Sequence, residues 1–124
     1  LAGLLAAYLI FSGGGGFAAK MFGKDTQALV RDVVPDHARA AAAVQTLKQG
    51  EKEMQGAGKR FEKMAKQFTE ADEAQSAGLA ALEPLMRQAW DERKNTQQAC
   101  LDRLFELKGS LTQEEWAKIF ASLK

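Results

Sequence analysis

The side chains that could do chemistry are few and scattered. Nucleophilic catalysis needs a nucleophile with a base beside it. The chain holds one histidine, His37, and one cysteine, Cys100, and no spacing brings them together. Zinc sites gather Cys, His and carboxylate ligands. His37 beside Asp36 offers a single imidazole and would need ligands from another chain. Met54, Met64 and Met86 raise copper or adaptable binding, but methionine at helical spacing is ordinarily core filling. Glu114 and Glu115 are accounted for by a helix start, where acids meet the positive end of the helix dipole. Gly23-Lys24 follows a glycine cluster, as in a phosphate-binding loop. That motif requires glycine at position 18 and Ser or Thr at 25, and the chain carries Ala18 and Asp25. The chain therefore reads as noncatalytic, with no cofactor and no metal site.

Composition narrows the class. The 124 residues carry 17 basic and 16 acidic side chains, a formal net charge of +1. The two signs alternate, as in KQGEKE and GKRFEKMAK. Phosphate binding needs a concentrated basic surface, so nucleic acid is not the expected partner. No run of alternating β-branched residues is long enough for a strand, and the expected class is all-α. One cysteine excludes an intrachain disulfide framework.

Such helices must be positioned by something, and the first stretch suggests what. Residues 1–19, LAGLLAAYLIFSGGGGFAA, contain no charge. A spanning helix needs roughly 20 mainly apolar residues, so this segment is expected to be a transmembrane anchor. Its membrane-facing residues would be Leu4, Leu5, Leu9, Ile10 and Phe11. Gly13 to Gly16 weaken the run, although lipid tolerates glycine in a helix better than water does. A cleaved signal peptide fits less well, because Phe17 stands where a small residue is wanted. The sequence starts at Leu1 and not at Met, so the span is expected to be N-terminally incomplete. Lys20 and Lys24 would meet the headgroups. Residues 20–34 then form a juxtamembrane segment with a short helix, capped by Asp25 and Thr26, whose apolar surface is Leu29, Val30, Val33 and Val34.

Residues 35–108 read as a helical hairpin. Pro35 suits a helix start, with Asp36 at its positive end. A coiled-coil-like seam runs through Val44, Leu47, Met54, Phe61 and Phe68, interrupted by Glu51 and Gly58. Gly50, Gly56 and Gly58 each cost about 1 kcal/mol against alanine, which makes the middle of this arm soft. The turn falls between residues 69 and 83. Either Thr69-Glu70-Ala71-Asp72 caps a new helix, or the first arm runs to Ala77 and the chain restarts at Pro84. Met86, Trp90, Cys100, Leu101, Leu104 and Leu107 carry the helical spacing of the second arm, and Lys108-Gly109 gives it a basic last turn with a glycine cap.

Residues 109–124 hold the sharpest local signal. In SLTQEEW, Thr112 caps the helix, Glu115 reaches back, and Leu111 staples to Trp116. Trp116, Ile119, Phe120 and Leu123 share one face, which must fold onto the hairpin or dock on a partner. The run Leu111-Thr112-Gln113-Glu114-Glu115 resembles the LT-x-x-[QE] helix start of envelope metal-resistance and stress-sensor proteins. It carries Glu where those proteins usually have Gln, and their histidine ligands are missing.

The expected fold is all-α: an N-terminal transmembrane helix, a long antiparallel coiled-coil-like hairpin and a short C-terminal amphipathic helix. The expected function is that of a single-pass, membrane-anchored accessory subunit. Its partners would be membrane lipid and other protein subunits or a second copy of itself. The setting would be a bacterial envelope or an organelle inner membrane. The alternative is a membrane-tethered envelope stress or metal sensor, or a chaperone-like helical hairpin.

Overall fold

The structure is a computed structural model that describes residues 19–73 and 78–123. All regular structure among the described residues is helical: α1 (Lys24–Val33), α2 (His37–Glu73), α3 (Gly78–Ser110) and α4 (Gln113–Ala121). Residues 19–22 are helical as well. The expected anchor, with Leu4, Leu5, Leu9, Ile10 and Phe11, lies outside the described residues except for Ala19. Among the described residues no helix is long and apolar enough to cross a membrane.

The chain enters the fold through Met21 and Phe22, both fully buried. Gly23 then turns it in extended backbone. A Cβ at this position would stand 2.8 Å from the Ala19 carbonyl oxygen, so only glycine fits. Asp25 and Thr26 do not cap α1, which has no side-chain cap. Thr26 instead donates its hydroxyl to the Lys20 carbonyl at 2.8 Å, and the Gln27 amide donates to the Phe22 carbonyl at 3.0 Å. The Lys20 carbonyl also accepts from the Gly23 N–H at 3.4 Å, so these two buried side chains reinforce the hydrogen bonding of carbonyls at the break. α1 buries Val30, and Val34 follows it into the same core.

Asp36 opens α2, accepting from the backbone N–H of Ala38 at 2.9 Å and of Arg39 at 3.4 Å. α2 and α3, 37 and 33 residues long, pack against each other. Their cross-helix pairs descend in one helix as they rise in the other: Arg103 Nε lies 3.4 Å from Glu53 Oε1, and Arg60 Nε donates to Glu92 Oε1. The pair is therefore antiparallel. Thr69 does not start a helix, because its hydroxyl donates back to Ala65 within α2. Nor does the second arm restart at Pro84, which lies inside α3. Gly109 is also helical, and α3 runs on to Ser110, so the expected glycine cap is absent.

The seam of α2 is turned from the expected one. Ala43, Leu47, Gly50, Ala57 and Met64 are buried, Val44 is buried beside Ala43, and Met54, Phe61 and Phe68 are half-buried. Glu51 is half-buried and Gly58 exposed, so the two interruptions of the expected seam are replaced by Gly50 and Ala57. The reason is Phe22: a Cβ on Gly50 would sit 2.5–2.8 Å from three atoms of its ring. Gly50 is thus a packing position rather than a soft point.

Opposite effects are expected from two glycine-to-alanine changes in the same helix. Gly58 faces open space, so Gly58→Ala should raise stability by up to about 1 kcal/mol through helix propensity. Gly50→Ala must displace a ring that is itself fully buried, and a net loss of roughly 1–2 kcal/mol is expected after that propensity gain. Urea unfolding followed by circular dichroism measures both. Equal stabilisation by the two would refute the role of Phe22.

Candidate functional site

One hydrophobic core gathers at the end of the hairpin where its outer termini meet. Met21, Phe22, Val30, Val34, Ala43 and Leu47 meet Leu107 and Ile119 there, and Trp116, Phe120 and Leu123 pack against it. The apolar face of α4 is therefore turned inward: Ile119 is fully buried, and the rings of Trp116 and Phe120 lie 4.4 Å apart between centroids. Val44 and Leu47 belong to this same core, and Met54 packs at its edge. Phe61 and Phe68 lie farther along α2, half-buried.

A polar clamp closes the core. Glu115 completes the capping box of α4, accepting from the Thr112 backbone N–H at 2.8 Å while its own N–H donates to Thr112 Oγ1 at 3.2 Å. The same carboxylate accepts from both ends of the Arg39 guanidinium, at 2.7 and 3.3 Å. Arg39 also donates to the Ser110 carbonyl at 3.4 Å. A forked guanidinium matches a carboxylate in this way, and a lysine would not. Arg39 first, and then the Thr112 N–H, hold the Glu115 carboxyl well below its ordinary value, at about 2. This is a fastener between the start of α2 and the start of α4, and the cleft of about 560 Å³ beside it is lined by Lys108, Leu111, Thr112, Gln113 and Trp116, with no nucleophile–base pair among them. Cys100 packs half-buried beside the core, and burial pushes its thiol up, away from the reactive thiolate form. His37 is exposed. Among the described residues no three His, Cys, Asp or Glu are grouped to hold a metal ion.

The candidate site is the surface that this packing leaves uncovered. Leu104, Leu107 and Cys100 of α3 turn toward the core. Met86, Trp90, Leu101 and Phe105 do not, with exposures of 53, 60, 48 and 70%. At about 100° per residue these four fall within one stripe roughly 100° wide along α3. Arg93 lies over the Trp90 ring, 5.6 Å from its centroid. Scattered single apolar residues on a surface need no explanation, but two aromatics and two aliphatics in one line do. Met86, Trp90 and Leu101 carry helical spacing in the sequence, which placed them with the inward residues of the arm. Phe105, four residues after Leu101, carries the same spacing, but Leu104 beside it reads as the seam position.

Comparison with family models, with curated proteins and with solved structures finds no match.

The clamp has an acid signature. Glu115 titrates near 4.5 when unfolded and near 2 when folded, so its contribution to stability is complete above about pH 4.5 and disappears as pH falls toward 2. Unfolding free energy should drop across that window, and Glu115→Gln should shrink the drop while lowering stability at neutral pH. Thr112→Ala, which removes only the hydroxyl acceptor, should cost about 1 kcal/mol. An unchanged acid slope in Glu115→Gln, followed by tryptophan fluorescence in urea, would contradict this assignment.

Proposed function

We propose that the protein is a noncatalytic, single-pass membrane-anchored helical subunit that binds partner protein through the exposed face of α3. The observation that carries this reading is the line of Met86, Trp90, Leu101 and Phe105, exposed on a helix whose adjoining face, with Cys100, Leu104 and Leu107, is already packed. Exposed aromatic side chains of this size are what buried interface centres are made of. With the face of α4 committed to the core, α3 is the surface left for binding. The charge-free run of residues 1–19 supports the anchor. In sequence it ends at Ala19, two residues before Met21, and Met21 and Phe22 are locked in the core.

Two measurements on the full-length chain test the two halves of the reading. Placing one arginine in the centre of the apolar run, Leu9→Arg, costs roughly 2.5–3.5 kcal/mol of insertion. It should move the protein from the alkali-resistant membrane fraction to the supernatant. Trp90→Ser with Phe105→Ser should leave unfolding unchanged and reduce the mass of the particle extracted in mild detergent. A wild-type chain that stays in the alkali supernatant would end the anchor reading. Extraction as a bare monomer would end the partner reading.

A further inference from the structure

We propose that the occupant of the α3 face is a second copy of this chain, paired antiparallel through the same face. The proposal rests on the partner-binding half of the reading above and not on the anchor. It starts from the order of residues along the stripe. The point midway between positions 95 and 96 mirrors Met86 onto Phe105 and Trp90 onto Leu101. The polar residues that complete the line obey the same mirror: Glu83 falls on Lys108, and Lys94 falls on Gln97. All four are exposed. From Glu83 to Lys108 the steps are three, four, four, three, four, four and three, which read the same in both directions.

A two-fold axis perpendicular to α3 at that midpoint turns this internal mirror into an interface. In such an isologous contact residue i meets residue j, and j meets i. Each Met86 thioether then lies against the partner's Phe105 ring, a favourable sulfur–aromatic pairing. Each Trp90 lies against the partner's Leu101. The steps sum to eleven per three turns, the repeat at which two helices lie alongside each other with a slight right-handed supercoil.

Charge decides the direction. A parallel pair would put Glu83 on Glu83, Lys94 on Lys94 and Lys108 on Lys108, three like-charge contacts. The antiparallel pair replaces them with two Glu83–Lys108 contacts and two Lys94–Gln97 contacts. Charged flanks of a helical seam set orientation in this way. Arg87, which lies 2.7 Å from Glu83 within one chain, would share Glu83 with the partner's Lys108. The two bases, each with its own core, end up at opposite ends of the dimer.

The test uses the full-length chain in detergent, with Cys100→Ser to remove the native thiol. Glu83→Cys and Lys108→Cys are introduced in separate preparations. Under mild oxidation each alone should remain a single chain, and the mixture should give a disulfide-linked pair. Crosslinking of Glu83→Cys with itself would overturn the antiparallel arrangement. In sedimentation equilibrium without crosslinks, Trp90→Ala with Phe105→Ala should weaken dimerisation at least tenfold. Glu83→Lys should weaken it severalfold, and Glu83→Lys with Lys108→Glu should restore it. Because Glu83, Trp90, Phe105 and Lys108 are exposed, unchanged circular dichroism separates lost pairing from lost folding. A wild-type chain that is monomeric but carries a different protein, released by the Trp90 and Phe105 changes, would overturn the self-pairing and leave the partner-binding reading standing. A monomer that carries nothing would overturn both.

Discussion

The ring of Phe22 occupies the space that a side chain at position 50 would need, and most of the fold can be traced from that contact. It fixes where the entering chain meets α2, and so which face of α2 is turned inward. The chain then bends in extended backbone at Gly23, where only glycine fits because a Cβ would strike the Ala19 carbonyl. α1 is thereby laid against α2, and its other neighbour is α4. The polar groups at the bend are answered locally, by Thr26 on Lys20 and Gln27 on Phe22. Apolar burial supplies the drive, and the hydrogen bonds make it tolerable to bury a chain break.

Burial is distributed unevenly along the hairpin. Nearly all of the fully buried side chains lie at the base, where residues 21–47 meet residues 107–119. Beyond Leu47, α2 buries only Ala57 and Met64 among its apolar side chains. The arm is otherwise laced by ion pairs such as Arg60 with Glu92 and Arg103 with Glu53, each worth little when solvent reaches it. Among the described residues, the far half of the hairpin therefore holds fewer fully buried apolar side chains than the base. Met86 and Trp90 of the uncovered line lie along this arm, and Leu101 and Phe105 lie on the turns that carry Cys100, Leu104 and Leu107 into the core. A second helix against that line would add the apolar burial that the arm lacks.

Helix content, antiparallel pairing and the capping box at Thr112 were legible because each depends on residues within a turn or two of one another. Thr112 and Glu115 form the box that their spacing predicts. Asp36 meets the first N–H groups of α2 as an acid at a helix start should. Legibility ended where a distant residue decided the outcome. Glu51 and Gly58 looked like seam positions until Phe22 claimed Gly50 and rotated the helix. Met86, Trp90 and Leu101 carried the same spacing as Leu104 and Leu107. Spacing reports that a residue belongs to a stripe, and it is silent on which stripe the neighbouring helix covers. Thr26 looked like a cap for its own helix, but its hydroxyl went to the Lys20 carbonyl on the far side of the break at Gly23.

For this protein, then, the sequence alone determined the class of structure, the approximate arms of the hairpin and the absence of a recognisable catalytic motif. These follow from periodicity, capping and composition, all of which are local. Tertiary structure alone decided that Met21 and Phe22 are core, that Arg39 reaches Glu115 across seventy-six positions, and that α4 turns its aromatic face inward. It also decided that α3 is left with an uncovered apolar line. Each of those outcomes is a competition between faces for a limited amount of neighbouring surface, and such a competition is settled only when every helix is in place.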